Sequence, residues 1–141
     1  MPEPATAERC LVGLLRLGGL VCATALLAVV MPQAWHAAIH AWLGLGTFPD
    51  APIAEYLARG MSGVCGIYGV LLIWLARDVQ RYASLIAMQA VLLMGVSLAA
   101  TAMLIESGMP EWWLYGDAGS VWAFQLMVLL LLWQSQRPAA S

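Results

Sequence analysis

The chain has 141 residues, 62% of them hydrophobic and only 10% charged, with a net charge of −2. Soluble domains carry about 25% charged residues, so this chain lacks the polar groups to cover a water-facing surface. All six basic residues are arginine and none forms a basic patch, which sets nucleic acid aside as a partner.

The length predicts one domain over residues 1–141. The first apolar run, Leu11–Met31, predicts a membrane span over about residues 10–31. A helix needs about 20 apolar residues to cross about 30 Å of hydrocarbon. Water is absent there, so each crossing must satisfy its own backbone groups as a helix. Secretory signals have a shorter apolar core of about 7–15 residues, and Arg16 interrupts this one, so an uncleaved span is expected. The alternative is a lipoprotein-type cleavage before Cys22, after Gly19-Leu20-Val21. Arg16 sits about 10 Å into the bilayer from the cytoplasmic end. Two roles stay open for it: a bond to Gln89 or Tyr68 inside the bundle, or a side chain that snorkels to the headgroups.

After Pro32, the stretch 34-AWHAAIHAWLGLG-46 predicts a short helix over about residues 34–44, ended by Gly44 and Gly46. Trp35, Ile39, Trp42 and Leu43 share one face, as in a helix lying flat in the membrane interface. His36 and His40 stand one turn apart and can aim at one point. Given further ligands they would suit a metal or haem iron, yet only Asp50 or Glu55 is near enough to add one. Wet interfacial histidines are the plainer reading, and no cofactor is expected. The turn 48-FPDAP-52 follows, with Asp50 as helix cap and Pro52 in the first turn.

The second span, about residues 53–77, contains 60-GMSGVCGIYG-69, with glycine at every third position. Each glycine costs about 0.8–1 kcal/mol relative to alanine in a helix in water. In lipid the return comes from close backbone approach, because apolar side chains gain little by leaving apolar tails. Gly60, Ser62, Gly63, Cys65, Gly66 and Gly69 are therefore expected to form a helix-packing surface that makes this span a hub. A hinge or unwound segment of the transporter kind is the alternative. Glu55 and Arg59 form an i,i+4 pair, read as a local brace.

The turn 77-RDVQR-81 joins this span to the third, about residues 81–105, which carries Gln89, Ser97 and Thr101. The loop 106-ESGMPEWWLYGDAGS-120 predicts a single turn after Pro110, with Trp112, Trp113 and Tyr115 at the interface. Gly116, Gly119 and Ser120 then restart the chain as a fourth span over about residues 118–135, where Gln125 lies level with Ser97. Arg16, Tyr68, Gln89, Ser97 and Gln125 are the expected intramembrane polar residues. None is a carboxylate, so a proton relay is not expected. Cys10, Cys22 and Cys65 form no CxxC and read as small packing residues.

Arg9, Arg77, Arg81 and Arg137 flank one side of these spans, whereas Asp50, Glu55, Glu106, Glu111 and Asp117 mark the other. Positive flanks stay cytoplasmic, so both termini are expected inside. The expectation is an antiparallel four-transmembrane-helix bundle with an interfacial helix in its first outer loop, in the plasma (inner) membrane. The stretches 42-WLGLGTFPDAPIAEYLARGMSG-63 and 76-ARDVQRYASLI-86 resemble a group of uncharacterised small four-span bacterial integral membrane proteins. That resemblance implies a fold and no activity. Four-span multidrug transporters carry a glutamate in the first span, where this chain has Arg16. The four-span fluoride channels differ too, having a near-neutral charge bias. No nucleophile–base pair, phosphate loop or paired carboxylate points to an enzyme. The reading is a structural or accessory membrane protein, packed against lipid, membrane partners or copies of itself. The alternatives are an oligomeric small transporter or channel, or an outer-face haem or metal redox component using His36 and His40.

Overall fold

The computed structural model describes residues 4–108 and 110–137. Among them the secondary structure is all helical: α1 (Pro4–Ala23), α2 (Leu26–Val29), α3 (Gln33–Trp42), α4 (Pro52–Leu75), α5 (Ala83–Glu106) and α6 (Glu111–Ser135). Four segments are long and apolar enough to cross a membrane, namely Pro4–Val29, Pro52–Leu75, Ala83–Glu106 and Glu111–Ser135.

The chain divides into two compact units, one built from residues 16–74 and the other from residues up to 15 together with those from 75 onward. In the first unit, the initial apolar run is not one continuous helix, as expected, but breaks at Thr24–Ala25. The Thr24 N–H is shared between the Leu20 and Val21 carbonyls, and its hydroxyl donates back to Val21 O at 2.6 Å. That back-bond competes with the helical ladder, and the following bonds, Ala25 N to Cys22 O and Leu27 N to Thr24 O, are of the tighter i→i+3 kind. Helix α3 ends on a Schellman motif. Gly44 adopts φ +73°, Leu45 N–H bonds to His40 O at 3.1 Å and Gly44 N–H to Ala41 O at 3.0 Å. Pro52 opens α4, so Ala51 rather than Asp50 precedes it.

In the second unit, Ala7, Leu11 and Leu15 form one buried stripe along α1 at i, i+4, i+8 spacing. Ile86, Ala90 and Ser97 are buried on α5, and Gln125, Val128, Leu132 and Ser135 on α6. The α6 spacing of three, four and three is that of a coiled-coil seam. The link between α4 and α5 occupies residues 76–82 rather than the five expected. Within it the Asp78 carboxylate accepts the Arg81 N–H at 3.0 Å, and Val79 is buried. Gln80 donates to Glu8 at 2.8 Å, tying this turn to the start of α1.

Helix α6 begins at Glu111, seven residues before the expected start, and runs unbroken through Gly116 and Gly119. The supposed isolated turn after Pro110 is thus the first turn of the long helix.

Candidate functional site

The most tightly built feature lies in the first unit, where α1 and α2 cross α4 in antiparallel register. A β-carbon on Gly69 would fall 2.5 Å from both Ala23 N and Gly19 O. One on Gly19 would fall 2.7 Å from Gly69 O, and one on Gly66 would fall 2.4 Å from Leu26 Cγ. Ordinary carbon contacts lie at about 3.5–4.0 Å, so backbone touches backbone at Gly19 and Gly69, where only glycine fits, and Gly66 lies against the Leu26 side chain. Farther along, Gly63 would meet only Val29, at 3.7 Å, and Gly60 meets nothing within 4 Å. Within the expected packing surface the close approach is therefore made by Gly66 and Gly69, with Gly63 at ordinary contact distance. Gly66 and Gly69 are buried, Ser62 and Gly63 are half-buried, and Gly60 and Cys65 are exposed. The partner glycine, Gly19, stands beside Gly18 in the first apolar run, with no repeat to mark it as a packing residue.

The side chains of Cys22 and Cys65 come within reach of each other at this crossing. One turn beyond its other end, Arg59 does more than brace Glu55, whose carboxylate it reaches at 2.5 Å. Its guanidinium also donates to Val29 O and Met31 O, both at 3.1 Å. Those are carbonyls at the frayed C-terminal end of α2, where a cation complements both the unpaired oxygens and the helix dipole. The i,i+4 spacing revealed the ion pair; nothing local revealed the second helix.

His36 and His40 do converge, but on Phe48. The His36 ring stacks on it at 6.2 Å and 21°, and the His40 ring meets its edge at 5.5 Å and 85°. His40 Nδ1–H donates to Gly46 O at 3.1 Å, which fixes that ring against the loop. Among the described residues no group of three or more His, Cys, Asp or Glu side chains comes together. Trp35, Ile39 and Trp42 point away from this cluster and are exposed.

The expected polar residues fall in different surroundings. Gln125 and Ser97 are buried, and Gln89 Nε2 donates to Gln125 Oε1 at 3.4 Å and to Ile86 O at 3.0 Å. Thr101 is half-buried and returns its hydroxyl to Ser97 O at 2.7 Å. Tyr68 is half-buried. Arg16 is exposed and makes no hydrogen bond or ion pair among the described residues. At the start of α6, Trp112 and Trp113 meet edge to face at 5.5 Å beside a shallow, open depression shared with Gly116, Asp117 and Ser120.

No protein-family model, curated protein or solved structure matches the chain.

Proposed function

We propose that this chain is an integral inner-membrane protein of structural or accessory type, an antiparallel four-span bundle that serves by packing against lipid and membrane partners rather than by chemistry. The observation that carries this reading is the outward apolar surface of its long helices. In Ala83–Glu106, only 6% of the most apolar stretch is buried within the chain. Val91, Leu92, Val96, Leu98 and Met103 are all more than half exposed. In water such a surface is an aggregation hazard, whereas in hydrocarbon it costs nothing and is free to meet another helix.

The charge distribution supports cytoplasmic termini. Glu8 at the start of α1 bonds Gln80 in the Arg77–Arg81 turn, so two of the arginine-bearing segments lie at the same end of their unit. The outward Trp35, Ile39 and Trp42 support an interfacial role for α3, with the His36–His40–Phe48 cluster holding its other side to the following loop.

Extraction in mild detergent followed by native mass spectrometry tests the accessory reading. A stoichiometric membrane-protein partner is the expected result. A homogeneous homo-oligomer that conducts ions or solutes in vesicles would replace the reading with the transporter alternative, and a Soret band would replace it with the haem alternative.

A further inference from the structure

We propose that Cys22 and Cys65, brought together where the glycine crossing joins α1 to α4, form a redox-active dithiol that closes to an intramolecular disulfide by reducing a membrane-soluble quinone. The first requirement is proximity. A disulfide needs Cα atoms within about 4.4–6.8 Å. Helices that cross on side chains stand about 8–10 Å apart, which is too far without favourable direction. Here the crossing is made by backbone: a β-carbon on Gly69 would lie 2.9 Å from the carbonyl carbon of Cys22. Cys65 stands one turn from Gly69 and beside Gly66, which packs on Leu26 one turn from Cys22, so the crossing brings the two thiol side chains within reach of each other. The glycines that look costly in α4 are what allow two sulfur atoms on separate helices to meet.

The second requirement is an oxidant that can arrive. Cys65 is exposed and Cys22 half-buried. Beside Cys65 on α4, Met61 and Val64 are exposed and apolar, and Ser62 and Tyr68 are half-buried. This step rests on the membrane reading: if α4 spans the bilayer, the approach to the pair is through hydrocarbon, where glutathione does not dissolve and a quinone does. The balance is complete with that acceptor. Both S–H bonds break, one S–S bond forms, and two electrons and two protons pass to the quinone, which leaves as quinol. Reduction by a dithiol reverses the step. The closed form ties the end of α1 to the middle of α4, so oxidation stiffens this unit.

The test uses the full chain with Cys10→Ser, so that only the pair remains, reconstituted in phospholipid vesicles. A short-chain benzoquinone is added, and the remaining thiols are counted by maleimide alkylation and intact mass. The expected result is loss of both alkylatable thiols, a mass lower by two hydrogen atoms, a monomer on a non-reducing gel, and recovery with dithiothreitol. The Cys22→Ser and Cys65→Ser proteins should each keep their single thiol. Thermal unfolding of the untreated proteins, run in parallel, verifies that these variants are folded. Two thiols left alkylatable, a stable quinone adduct, or a disulfide-linked dimer through Cys65 would overturn the pair itself. Closure as fast with oxidised glutathione as with the quinone would overturn the lipid-phase route and the membrane reading at this site, while leaving the pair intact.

Discussion

The two units hold their helices together by opposite means. Around α4 the tightest contact is backbone on backbone, between Gly19 and Gly69, with Gly66 closed over by the Leu26 side chain and Arg59 tying the end of α2 to α4. Around α5 and α6 the contact is side chain on side chain, through Ile86, Ala90, Val128 and Leu132, with the Gln89–Gln125 bond set among them. On the proposed membrane reading both meet the same difficulty, that apolar side chains gain little in hydrocarbon by leaving lipid for each other. The first does so by shape at a few positions that accept one residue type. The second spreads the work over positions that accept many. Substitution should therefore be punished very unevenly along the chain.

The sharpest contrast lies within a single repeat. Gly69→Val should destabilise the protein by about 3 kcal/mol, because the added carbons meet main chain that cannot rotate away. Gly60→Ala, nine residues earlier in the same pattern, should be neutral or stabilising by up to about 1 kcal/mol through helix propensity. Denaturant unfolding in detergent reads both, and equal effects would erase the distinction between the two halves of the repeat. Next comes Arg59→Met, which removes two charge-assisted bonds to carbonyls and should cost about 2 kcal/mol. Little of that belongs to the Glu55 ion pair, since the Arg59 side chain is 36% exposed and such pairs are worth at most about 1 kcal/mol. Glu55→Gln, measured the same way, should therefore matter less than Arg59→Met.

In the side-chain unit the effects should be smaller. Gln125→Leu should cost only about 0.6 kcal/mol, the mean for interhelical hydrogen bonds in a membrane. A cost as large as that of Gly69→Val would mean that polar bonding, rather than apolar fit, holds α5 and α6. Arg16→Leu should leave the unfolding midpoint where it was, as the exposed arginine makes no bond among the described residues.

What could be read from the sequence was local. The helix α3 lies at Gln33–Trp42 against an expected 34–44, because Pro32 before it and Gly44 after it act through their own dihedral angles. The α6 start was missed because Gly116 and Gly119 look like helix breakers. Their cost, about 1 kcal/mol each in water, is small against that of opening a backbone ladder where water is scarce. The interruption at Thr24 has no glycine or proline to announce it, only a hydroxyl that bonds backward. The glycine repeat was visible, but which half of it is packed depends on where another helix crosses. The same holds for Arg59, whose partner Glu55 lies four residues away while its other partners, Val29 and Met31, lie about thirty. Gly19 and the Cys22–Cys65 contact belong to this non-local class too.

The account stands most directly on the threading of the chain through a bilayer, and single-cysteine labelling reads it. On a background with Cys10, Cys22 and Cys65 replaced by serine, Thr47→Cys and Gln136→Cys each provide one exposed probe, in the α3–α4 loop and after α6. In sealed right-side-out vesicles, a membrane-impermeant maleimide should label the Thr47→Cys protein at once and the Gln136→Cys protein only after permeabilisation. Equal labelling of both before permeabilisation would contradict the threading, and with it the reading of the glycine crossing as a device for packing helices in lipid.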